Sequence, residues 1–145
     1  MRLVGGGIIF LFALLIQLKF GRVGFGLENF LLLSLVALAT VLRTRELLFF
    51  ILLSIWFLNW QPSISGELVA LVAIPFGVHV LKDIFPGSAF FGCVLAAGLG
   101  VGLWYVLAYA RVILEFPFVF VGEIILGILW SFPFFVAVQF LRPAE

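Results

Sequence analysis

The stretch 77–92, GVHVLKDIFPGSAFFG, gathers residue types that can do chemistry. His79, the only histidine of the chain, is followed by Lys82 and Asp83, so a titratable imidazole, a cation and an anion fall close together. Such groups serve acid–base catalysis when they converge on a substrate. Each also has a structural occupation. On a helix, His79 and Asp83 are four apart and share a face. Lys82 near a helix C-terminus complements the dipole, and its long stem can reach toward headgroups. Phe85-Pro86-Gly87-Ser88 suits a type II turn, with proline at its second position and glycine at its third, and Ser88 is then placed to cap the next helix. The passage is either a functional site or a polar connector between two apolar helices.

Chemistry elsewhere is sparse. Glu123, in VFVGEIILGILW, is the acidic residue that falls clearly inside an apolar run. A charged carboxylate at the centre of a membrane helix costs on the order of 2.5–3.5 kcal/mol, so such groups are paired or functional. If its segment begins near Pro117, Glu123 lies within two turns of the end, in reach of the interface or of Arg111. Gln17 and Gln139 lie near segment ends, where local hydrogen bonds are expected. A single cysteine, Cys93, excludes an internal disulfide and a cysteine-based zinc cluster. No HExxH, Walker or dinucleotide fingerprint occurs, and no Ser/His/Asp set with a nucleophile elbow. Gly5, Gly6 and Gly7 front an apolar helix and do not follow a strand. These features suggest a protein that is not an enzyme and carries no cofactor. A formal charge of +1, with no basic stripe, argues against a nucleic-acid partner.

The elements that must position these residues are hydrophobic to an unusual degree. Of the 145 residues, 66% are hydrophobic and 10% charged, where a soluble domain carries about 25% charged residues. The mean hydropathy is +1.37. The expected class is an all-α polytopic membrane protein forming one domain over 1–145, with the lipid bilayer as its first partner. Charged and turn-forming residues divide the chain into six apolar segments, at about 3–18, 27–42, 47–60, 68–81, 88–110 and 118–141. The third is short against the roughly 20 residues a crossing requires and is the one that a re-entrant or interfacial piece would fit instead. The N-terminal run, ending in Gln17-Leu18-Lys19-Phe20 without a small-x-small cleavage pattern, reads as a retained first helix. Six crossings put Arg2, Arg43, Arg45, Lys82 and Arg142 on one side and Lys19, Arg22 and Arg111 on the other. Basic residues resist translocation, which places both termini in the cytoplasm. Trp56 and Trp60, beside the uncharged NWQPSISG loop, suit the outer interface.

Helices in lipid associate through close packing and a few hydrogen bonds. Segment five, SAFFGCVLAAGLGVGLWYVLAYA, is the best equipped for this. Ala89, Gly92, Ala96, Gly98, Gly100 and Gly102 give it bare faces, and Gly98–Gly102 is a small-xxx-small pair. Its stripe is expected at the centre of the bundle, or as a docking face for a partner helix. Pro75 and Pro133 fall inside segments four and six, where kinks are expected. The nineteen phenylalanines are expected to serve packing and lipid contact.

The order of these features resembles the rod shape-determining protein MreD family, whose second half carries a G…D-x-x-x-G-x-x-x-x-G-like passage. Gly77, Asp83, Gly87 and Gly92 occupy comparable places. Lys82 before the aspartate and Pro86 before the glycine depart from that pattern. The likeness extends loosely over most of the chain through helix count and proportions. It implies a bacterial inner-membrane, multi-pass component of the peptidoglycan elongation machinery, without catalytic activity. Its implied partners are MreC-like, MreB-like, RodA-like and transpeptidase proteins. The family is similar in shape to the substrate-binding S components of vitamin transporters, and a small-molecule transport subunit is the alternative reading.

Overall fold

A computed structural model describes residues 2–20, 30–58, 66–82, 84 and 89–141, and among these residues the regular structure is all helical. Seven helices follow one another: α1 (Arg2–Phe20), α2 (Phe30–Ala39), α3 (Thr44–Leu58), α4 (Gly66–Leu81), α5 (Ala89–Ala108), α6 (Ala110–Glu115) and α7 (Pro117–Gln139). Two are long and apolar enough to cross a membrane, over Phe90–Ala108 and Pro117–Gln139, while α1, α2 and α4 are shorter apolar helices.

The six apolar segments correspond to α1–α5 and α7, and α6 is the addition. After Arg111 the sequence suggests a connector, yet the chain forms a further helix of less than two turns with no buried residue. Tyr109 (φ −135°, ψ 44°) and Phe116 (φ −136°, ψ 64°) leave helical geometry on either side of it. The second break has a direct cause. Phe116 precedes Pro117, whose ring disfavours helical geometry at the residue before it, and proline itself fits the first turn of α7. The charged run Arg43-Thr44-Arg45-Glu46, which reads as the end of segment two, also starts α3. There the Arg43 N–H donates to Glu46 Oε2 at 3.0 Å, the carboxylate half of a capping box. Both α4 and α7 continue through their internal prolines, Pro75 and Pro133.

The bundle is organised around α2. All ten of its residues, FLLLSLVALA, are buried, and it packs against α1, α3, α4, α5 and α7. A helix that is apolar all round has no face to give to solvent and must be covered on every side. The segment expected at the centre, α5, lies further out. It turns Cys93, Ala96, Ala97 and Val101 inward and Leu99 and Leu103 outward. The helices around α2 likewise keep apolar outer faces: Leu11 and Leu15 on α1, Leu52 and Trp56 on α3, Ile125 and Leu129 on α7. Three buried hydroxyls are satisfied locally. The hydroxyls of Ser34, Ser54 and Ser131 donate to the carbonyls of Leu31, Phe50 and Ile128, each one turn back in its own helix.

Candidate functional site

His79 faces the turn between α2 and α3. Its Nδ1 lies 3.0 Å from the carbonyl oxygen of Ala39, the last residue of α2. Its Nε2 lies 3.0 Å from Thr44 Oγ1, the first residue of α3. A carbonyl oxygen only accepts, so Nδ1 carries the proton and Nε2 accepts from the threonine hydroxyl. Lys82 Nζ stands 3.5 Å from the same Nδ1. That nitrogen, with its proton committed to Ala39, has no lone pair to offer, and the shorter contact to the carbonyl decides the tautomer. The imidazole thus clasps three helices at one end of the bundle. Gly77, two residues earlier, has open space where a Cβ would stand. Asp83, Pro86, Gly87 and the turn to Ser88 lie outside the described residues.

The opposite end of α4 holds a second polar contact. Glu67, in its first turn, accepts a hydrogen bond at Oε1 from the Tyr109 hydroxyl, at the break between α5 and α6. The chains approach closely there: a Cβ on Gly66 would collide with the backbone carbonyl of Leu107. The Tyr105 ring packs beside those of Tyr109 and Phe120, with centroids 5.9 and 5.8 Å away. Glu123 is buried, on the inward stripe of α7 that continues through Gly127, Ser131 and Val138. Arg111, considered as its partner from sequence, is exposed on α6.

The small residues of α5 are occupied within the chain. A Cβ on Gly98 would stand 3.2 Å from Ile128 of α7, one on Gly100 3.0 Å from Ile74 of α4, and one on Gly102 3.8 Å from Ile124 of α7. Ala96 is buried, Gly92 is half-buried and Ala89 begins the helix. The tightest contact of this seam belongs to a glycine the sequence reading did not single out. A Cβ on Gly127 of α7 would come within 2.7 Å of Val101 Cγ2. Gly127 and Ser131 form a small-xxx-small pair on the buried face, a signal present in the sequence but overshadowed by the denser glycines of α5. Gln17 bonds at longer range than expected: its Oε1 accepts from the Leu31 N–H at 2.8 Å, so α1 caps the start of α2.

Among the described residues, two concavities are lined by apolar side chains. One, of about 270 Å³, lies between α1 and α7 against Phe30, with Phe12, Ile16, Trp130 and Pro133 in its walls. The other, of about 540 Å³, is an open groove between α5 and α7 floored by Gly98 and Gly102. Comparison with known protein families, curated proteins and solved structures finds no match. The resemblance to MreD therefore rests on the passage from Gly77 to Gly92 and on the helix proportions.

Proposed function

We propose that the chain is a multi-pass membrane scaffold, a six-crossing bundle with both termini on the cytoplasmic side, and that it acts as MreD-like proteins do. The observation that carries this reading is the arrangement of apolar surface. A wholly buried α2 is surrounded by helices that expose large apolar side chains along their outer faces, among them Ile8, Leu52, Leu99 and Leu129. Such cladding is an aggregation liability in water and suits a hydrocarbon environment. The hydrogen bonds of His79, Glu67 and Gln17 each join one helix to another. They suit a protein that holds a shape and presents helix faces to partners.

In a bacterial inner membrane those partners are MreC-like, MreB-like, RodA-like and transpeptidase proteins of wall elongation. The chain should stay with membranes through an alkaline carbonate wash and co-purify in detergent with an MreC-like protein. Repeated failure to do so at native expression levels counts against the scaffold. The pocket of about 270 Å³ between α1 and α7 favours the second reading, an S-component-like subunit for a small apolar molecule. Gly92→Leu separates the two: a scaffold loses assembly with its partner, whereas a transport subunit loses uptake with assembly intact.

A further inference from the structure

Positive charge collects where α2 ends, α3 begins and α4 ends. Arg43 and Arg45 flank Thr44, and all three are exposed. Thr44 is bonded to one nitrogen of His79, and the Lys82 ammonium stands beside the other. A single imidazole ring therefore spaces Lys82, 38 residues away in sequence, from Thr44, the residue between the two arginines. His79 Nδ1 gives its proton to Ala39, so it cannot accept from Lys82, whose donors call for another acceptor. Glu46 Oε2 accepts from the Arg43 N–H and adds one negative charge against the three cations of Arg43, Arg45 and Lys82. Asp83, the other acidic neighbour in sequence, lies outside the described residues. Arg45 is in helical register with Leu48, Phe49, Leu52 and Trp56, the exposed apolar face of α3. An acyl chain lying along that face would bring its phosphate to Arg45.

We propose that Arg43, Arg45 and Lys82 form a phosphate site for an anionic phospholipid, with the acyl chain on the Phe49 and Leu52 face of α3. The lipid source rests on the membrane reading above. A free phosphate group offers the same oxygens, so the test separates the two sources. The purified chain in uncharged detergent is titrated with phosphatidylglycerol, phosphatidylcholine and inorganic phosphate, and bound ligand is read by native mass spectrometry. Phosphatidylglycerol should be retained over phosphatidylcholine. That preference should fall about fivefold for Lys82→Gln or Arg45→Gln and about 30-fold for the pair. Lys82→Arg with Arg45→Lys keeps both charges and should keep the preference, which separates loss of charge from loss of fold. Arg111→Gln, on exposed α6, should leave it unchanged. Inorganic phosphate bound by the wild type and lost in the double Gln variant, without lipid preference, assigns the site to a soluble phosphate group. Equal retention of the two lipids without phosphate binding overturns the proposal, as does a preference that survives the double Gln variant. Release of the chain by carbonate would refute the membrane reading separately and leave the phosphate titration valid.

Discussion

His79 shows how far a residue's work can lie from its sequence neighbours. Its spacing suggests a local relation to Asp83, yet its hydrogen-bond partners are 40 and 35 residues away. Spacing along a helix reveals which residues share a face but not what that face meets. Each bond contributes about 1 kcal/mol net, so His79→Ala should lower unfolding stability in detergent by about 2 kcal/mol. Thr44→Val should cost about half as much, and the double variant should fall short of the sum because both changes remove the same bond. Additive losses would show that the clasp does not form. Two glycines of α7 give a sharper contrast. Gly122 has open space where a Cβ would go, while at Gly127 the new atom meets Val101, which is fully buried and β-branched. Gly122→Ala should raise stability by up to about 1 kcal/mol through helix propensity. Gly127→Ala should lower it by about 1–3 kcal/mol through overpacking. Thermal unfolding of the two variants side by side reads the opposite signs.

Among the elements, α2 and α6 are the two that sequence patterning describes least well. The composition of α2 reads as one more apolar segment, and its central place follows only from having neighbours on every side. Its helix rises about 15 Å, half of a ~30 Å hydrocarbon layer. The element α6 is hidden for the opposite reason: Arg111 and Glu115 make ARVILE read as a polar connector, although its local geometry is helical. What was legible is the all-helical class, the break before Pro117 and the position of most apolar segments, because each depends on local composition. The link between α1 and α2 depends on a tertiary contact, Gln17 to the Leu31 N–H. Gln17→Leu removes that acceptor and should cost about 1 kcal/mol. Amide exchange should quicken in the first turn of α2 and stay unchanged in α7, where no group bonds to Gln17.

For the whole molecule, a six-crossing arrangement puts the ends of α3 and α6 nearest Arg45 and Arg111 on opposite sides of the membrane. Cys93 is buried, so the native chain should give little background with an impermeant maleimide. Arg111→Cys should label in intact cells, and Arg45→Cys only after the membrane is opened. Labelling of both from one side would require a different number of crossings. The glycine-rich seam is a further lesson at this scale. Sequence places the small residues on α5, and isoleucines from α4 and α7 stand against Gly98, Gly100 and Gly102. Ile74 closes the stripe at Gly100, while a groove along Gly98 and Gly102 stays open, and a sequence shows the notch without showing the knob.

The position of α2 also governs the order of events during synthesis. It is made after α1, yet four of the helices that cover it, α3, α4, α5 and α7, are made later. At the end of the chain, Leu141 seats against Gly5 near the beginning of α1. Each newborn copy must therefore hold a short, partly bare hydrophobic rod in waiting until α7 leaves the ribosome. A transcript cut short before Pro117 would leave the side of that rod covered by α7 permanently bare, and its product should be cleared by membrane proteases faster than any full-length variant described above.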